Sequence, residues 1–158
     1  MMVYRDFVYF DSDGSVTTLG DGVLGYEGTL RNIVLKIGSA HRSWMTFARV
    51  PEGIFPDQAG TSWSPTVFLQ AAGTAEAMTV EWRKLGDDGK VRLYTLGRGG
   101  PRDDEPTIPI HFNDGEAVTY VYPDEVYDAT EAGDIFVDYY HHETLTDHYA
   151  LRVHTDVV

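Results

Sequence analysis

The stretch YYHHETLTDHYALRVH, residues 139–154, holds four of the chain's six histidines together with Glu143, Asp147 and Arg152. Imidazoles and carboxylates at close spacing are metal ligands and the acids and bases of hydrolysis, so their geometry is the first question. A zinc site gathers its ligand nitrogens about 2.0–2.1 Å from one ion. His148 and His154 share one face of an extended segment, but at strand rise they stand about 20 Å apart. His141 and His142 are successive residues on a helix and diverge by about 100°. One stripe remains, Asp134, Asp138 and His141 or His142, where i, i+3 and i+4 spacing brings side chains together. The order HHE does not supply the HExxH of a zinc hydrolase. Histidines at the end of a helix need no metal to explain them, because the macrodipole favours cations there. The expectation is a polar helix face running into a strand, with a metal-dependent enzyme built on Asp134, Asp138 and His141 as the alternative.

Other motifs carry less. DSDGS (11–15) begins like a calcium loop, but the sixth position is Val16 rather than glycine and the twelfth is Gly22 rather than a bidentate carboxylate, so it reads as a turn. GDGVLG (20–25) matches GxGxxG. A dinucleotide site would start a helix at the last glycine, whereas Tyr26-Glu27-Gly28 follow and Asp21 would face phosphate with the wrong charge. Arg98-Gly99-Gly100 could cradle an anion, but Asp103, Asp104 and Glu105 crowd the same loop, and a flexible connection is expected. Ser62 and Ser64 lie in GTSWSP, which is not a GxSxG elbow, and neither His41 nor His111 is tied to a serine by spacing. There is no cysteine, which removes disulfides, thiolate metal sites and cysteine nucleophiles together.

Charge says more than any motif. Residues 1–101 carry 11 acids and 10 bases, while residues 102–147 carry 13 acids and one base, Arg102. The formal charge of −13 therefore resides almost wholly in one segment. A field of that sign repels nucleic acid and anionic lipid and attracts a basic protein or a cation. Six of the ten tyrosines (120, 122, 127, 139, 140 and 149) are interleaved with these acids. Half-buried strand tyrosines would account for several of them. The functional expectation is a contact surface made of Asp103, Asp104, Glu105, Asp124, Glu125, Asp134, Asp138, Glu143 and Asp147, with Tyr140 as an anchor.

The elements that must position these residues follow from periodicity. Residues 3–10 and 15–19 flank DSDG as a hairpin, and 43–50, 65–72, 77–85 and 91–97 have strand composition. Asp88-Gly89 is expected as a two-residue hairpin loop, and Asn113-Asp114-Gly115 joins a second hairpin of 107–112 and 116–122. Leu30, Ile33, Val34 and Ile37 fall at helical spacing, so 29–38 is either a helix or a buried strand. Asp128 and Glu131 have capping-box spacing ahead of a helix over 129–142, with Ala132, Ile135, Phe136 and Tyr139 on one face. In the closing strand, Tyr149, Leu151, Val153 and Val157 alternate with His148, Ala150, Arg152 and His154, and the apolar set is expected on the core. The fold class is α+β, a mostly antiparallel sheet packed by the 129–142 helix and, where 29–38 coils rather than extends, by a second helix there. An all-β sandwich with one appended helix is the alternative. At 158 residues a single domain spanning 1–158 is expected, large enough to bury about 70% of its unfolded surface. No apolar run reaches the ~20 residues that cross a bilayer. MMVYRDFVYF has no basic n-region and sets Asp6 in its apolar stretch, which points to the cytoplasm.

From Glu81 to Arg152, the pattern VEWRKL, LYTLGR, YPDEVYDATEAGDIFVDYY and YALR resembles small cytoplasmic immunity proteins encoded beside bacterial secreted toxins, of the deaminase-immunity type. The resemblance covers under half the chain. It rests on Glu131-Ala132, Phe136, Tyr139-Tyr140 and Tyr149 to Arg152. It implies sheet strands leading into a late helix and a closing strand, with no cofactor and no catalytic residues. It also implies a partner that is a basic toxin or enzyme whose active site is covered. A phage or host interaction module without a toxin would use the same acidic surface.

Overall fold

The computed structural model describes residues 6–39, 42–102, 104–145 and 148–154, and in it the alternating segments pair as antiparallel strands while both periodic segments coil. The strands are β1 (Phe7–Asp11), β2 (Val16–Thr18), β3 (Trp44–Arg49), β4 (Phe68–Gly73), β5 (Met78–Leu85), β6 (Val91–Gly97), β7 (Ile108–Phe112), β8 (Ala117–Val121) and β9 (Ala150–Val153). The helices are α1 (Gly25–Leu35) and α2 (Ala129–His142). Seven strands form one sheet in the order β2-β1-β3-β4-β5-β6-β9, every neighbour antiparallel, and β7 and β8 pair separately. The architecture is α+β.

Helix α1 resolves the ambiguity of 29–38. It is a helix, but shifted, running from Gly25 and ending at Leu35. Leu30, Ile33, Val34 and Ile37 are all buried, so the helical stripe meets the core. Gly25 does open a helix, contrary to the sequence argument against GDGVLG, and its φ of +72° explains why a glycine stands there. Helix α2 has the expected bounds because its signals are local. The Asp128 carboxylate accepts from the Glu131 N–H (2.9 Å), and Glu131 Oε1 accepts from the Asp128 N–H (3.3 Å). Just before it, Met78 and Tyr127 exchange two backbone hydrogen bonds (2.8 and 2.9 Å) and the Ala129 N–H donates to the Ala75 carbonyl, which fastens the start of α2 to the start of β5.

Both helices cover one face of the sheet. Phe47 lies at the centre, stacked on Phe7 (4.8 Å between centroids) and tilted against Phe136 (5.9 Å). Leu69, Ala71, Met78, Val80 and Leu96 extend the same layer across β4 to β6. Each large side chain so buried contributes about 1.5–3 kcal/mol over its exposed state.

Two local expectations fail. The β5–β6 loop has three residues, Asp87–Gly89, rather than two. The Gly86 N–H bonds the Lys90 carbonyl (2.8 Å), the Gly89 N–H bonds the Gly86 carbonyl (3.0 Å), and Gly89 takes φ +80°. A type I turn closed by a left-handed glycine fits the strand twist as a longer loop. In β9 the faces are reversed in exposure. Leu151 and Val153 pair with Leu96 and Tyr94 on the helix-covered side, yet they are 37% and 44% exposed because the core layer ends before this edge strand. Arg152 and His154, expected in solvent, turn toward buried carboxylates. No helix among the described residues is long and apolar enough to cross a membrane.

Candidate protein-binding surface

Helix α2 projects its acids outward, and each finds a partner. Asp134 pairs with Arg31 of α1 (2.6 Å), and Asp138 lies 3.0 Å from Nδ1 of His142 one turn on. Glu131, besides its capping role, holds the guanidinium of Arg98. Glu143 closes the helix in a left-handed conformation (φ +57°) and reaches Arg49 of β3 at 2.9 Å. His141 turns to Glu27 of α1. Asp134, Asp138 and His141 are therefore directed to three different partners, and among the described residues no group of three or more His, Asp or Glu side chains could hold a metal ion. Tyr140, expected as an exposed anchor, is half-buried against Phe7 (5.2 Å) and Tyr26 (5.9 Å).

Asp124 and Glu125 are largely withdrawn from solvent. They sit in the 3-10 turn Pro123–Glu125, and Glu125 has no exposed surface. Its carboxylate accepts from Nε and Nη2 of Arg152 (both 2.9 Å), lies 3.4 Å from Arg102, and accepts from the backbone N–H of Tyr122 (2.9 Å). Asp124 accepts from Arg102 (2.7 and 3.2 Å) and from the Gly99 N–H (3.2 Å). The Arg102 guanidinium holds the Asp124 carboxyl below its ordinary range. Both arginines also lie over the ring of Tyr122. The Arg98-Gly99-Gly100 loop does cradle an anion, then, and the anion is the chain's own Asp124. Anchoring by Arg98, Gly99 and Arg102 replaces the flexible connection expected there.

Of the remaining expected contacts, Asp104 and Glu105 are exposed, whereas Asp103 and Asp147 lie outside the described residues, as does His41. His111 is exposed on β7.

Folding thus redistributes the charge. Arg31, Arg49, Arg98 and Arg152 come from outside the acidic segment to pair with its carboxylates. Arg42 and Arg92 hold Asp11 and Asp88. The negative surplus is left to exposed carboxylates in no ion pair with a described residue. These are Asp21, Glu52, Asp57, Glu76 and Asp87 in the first part, and Asp104, Glu105, Asp114, Glu116 and the helix-capping Asp128 in the acidic segment. Among the described residues the exposed cations in no ion pair are Lys36 and Lys90, and Arg83 and Lys84 are half-buried cations likewise outside any ion pair. Arg83 lies over the Phe68 ring and Lys84 over those of Trp82 and Tyr94. The expected single patch is replaced by a surface that is negative on many loops.

One buried polar system escaped the sequence reading. On the sheet face away from the helices, Thr46, Gln70, Glu81, Thr95 and Arg152 form one register row across five strands. Gln70 Nε2 donates to Glu81 (3.1 Å), and Nε2 of His154 lies 2.7 Å from Glu81 and 2.6 Å from the Thr95 hydroxyl. Polar residues at alternate positions in successive strands were the available signal, but their pairing depends on register. An open cleft of about 430 Å3 lies at the end of α2, lined by Arg49, Pro51, Glu52, Val67, Tyr139 and Glu143. Burial, with Glu143 nearby, pushes the Tyr139 hydroxyl up to about 12.

Comparison with protein-family models, with curated proteins and with solved structures finds no match.

Proposed function

We propose that this chain is a non-catalytic acidic binding domain that neutralises a basic protein, a toxin or an enzyme, by covering its active site. The observation that carries the reading is the imbalance left after internal pairing. Ten exposed carboxylates stand outside any ion pair with a described residue, against two exposed cations, Lys36 and Lys90. That surplus sits on loops, where it creates a negative field over much of the surface instead of being spent inside the fold. Such a field accelerates encounter with a basic protein and discriminates against acidic ones. The resemblance of 81–152 to immunity proteins supports the same reading. So does the order of elements, with β5 and β6 leading to α2 and then to a closing strand on β6.

The test is the product of the gene adjacent to the one encoding this chain. Expressed alone in a bacterial host, it should arrest growth, and co-expression of this chain should relieve the arrest. Calorimetry with an inactivated form of that product should show one-to-one binding that weakens between 50 and 300 mM salt. No relief and no binding at low salt would overturn the proposal.

A further inference from the structure

We infer that the free edge of β9 receives an extended segment of the basic partner, added to the sheet as an eighth strand whose residues are alternately apolar and basic. This rests on the binding reading above and names the part of the partner that it engages.

The backbone supports it first. The His154 N–H donates to the Leu93 carbonyl (2.9 Å), so His154, Arg152 and Ala150 direct their main-chain groups toward β6. Strand alternation then directs the N–H and C=O of Leu151 and Val153 to the outside. Among the described residues nothing pairs with that side, since β9 ends the sheet. Natural edges are usually guarded by lysine, proline or a bulge. Here the two outward-bonding residues are Leu151 and Val153, whose side chains are also among the exposed large apolar groups of the molecule. The opposite edge, β2, is only three residues long.

The two faces of the edge differ in chemistry. On the helix side an added strand would meet Leu151 and Val153. On the other side, the Arg152 guanidinium lies over the Tyr122 ring, 5.5 Å from its centroid, and the Tyr122 hydroxyl donates to the Asp104 carbonyl (2.7 Å). Asp104 and Glu105, exposed and in no ion pair with a described residue, therefore lie toward that side. Side chains of an added strand alternate between the faces. Apolar residues would suit the helix side, and on the other side, where buried Glu125 already neutralises Arg152, the remaining charge is that of Asp104 and Glu105 and would suit basic residues. A second copy of this chain is disfavoured as occupant, because each copy carries a formal charge of −13.

The test uses the full chain and a fluorescent eight-residue peptide of alternating valine and lysine, followed by anisotropy. Its controls are a block peptide of the same composition and the same alternating peptide N-methylated at every residue. The alternating peptide should bind about tenfold more tightly than either control. Leu151→Pro and Val153→Pro each remove one outward N–H without touching the bonds to β6, and each should weaken the peptide about fivefold with thermal unfolding little changed. Equal binding of the N-methylated or block peptide would overturn the strand-addition proposal whatever the variants do, because plain charge attraction would then explain it. So would absence of binding by the alternating peptide. If an identified basic partner binds the wild type and both proline variants equally, the edge is excluded while the binding function stands.

Discussion

Removing the Glu125 carboxylate should be among the most damaging single changes in the molecule. Its side chain is fully buried and holds Arg152 through three contacts of 2.9–3.2 Å, with Arg102 at 3.4 Å and the Tyr122 N–H at 2.9 Å. Glu125→Ala leaves the Arg152 guanidinium without its carboxylate in a half-buried site and removes the acceptor that closes the 3-10 turn. Breaking a buried pair from one side costs about 3–5 kcal/mol, chiefly because the surviving charge is left uncompensated. In a domain of this size about 1 kcal/mol moves Tm by roughly 2–4 °C, so a fall of about 6–20 °C is expected. Glu125→Gln keeps an acceptor for Tyr122 but loses the charge, and should fall between wild type and alanine. Urea unfolding followed by tryptophan fluorescence and circular dichroism gives the free energy, and a cycle with Arg152→Ala should return a coupling of about 0.5–3 kcal/mol. A loss below about 1 kcal/mol with no coupling to Arg152 would refute the assignment of Glu125 as the anchor of this corner.

Two further outcomes follow from the same geometry. Gly133 sits inside α2, where an added Cβ would meet Arg31 Cγ and Nη1 at 3.5 Å, an ordinary contact distance, so Gly133→Ala should raise stability by up to about 1 kcal/mol in urea melts. The Asp124 carboxyl is held down by Arg102. Its stabilising contribution is therefore complete above the ordinary carboxylate pKa of about 4 and is lost as pH falls through the depressed folded value. Asp124→Asn should accordingly flatten the dependence of stability on pH below about 4, measured by urea midpoints across an acid series.

Legibility differed element by element. Helix α2 was readable to the residue because Asp128, Glu131 and the Phe136 stripe act within two turns of chain. The bounds of α1 were less so, since its first turn, Gly25 to Gly28, has no such cap and is retained through the packing of Leu30, Ile33 and Val34. The β5–β6 turn was recognised by Asp88-Gly89, but its length was set by the pairing of Leu85 with Val91. For β9, alternation showed two unlike faces correctly. It could not show that the core layer ends before this edge, which leaves Leu151 and Val153 uncovered. The candidate surface was the least readable. The acids of 102–147 were visible, but the arginines that engage them come from 22 to 103 residues away along the chain.

Element type outside 29–38, the capping of α2, the α+β class and the total charge were all carried by residue order, because hydrophobic period, turn chemistry and composition operate over a few neighbours. Where that charge ends up was not. A guanidinium pairs with whichever carboxylate the fold brings within about 3 Å, and sheet register with helix docking chose Glu125 for Arg152 and Asp134 for Arg31. Among the described residues, the negative groups left without ion pairs and the β9 edge left without a neighbouring strand are consequences of that assignment, created by long-range packing that no local stretch of the chain encodes.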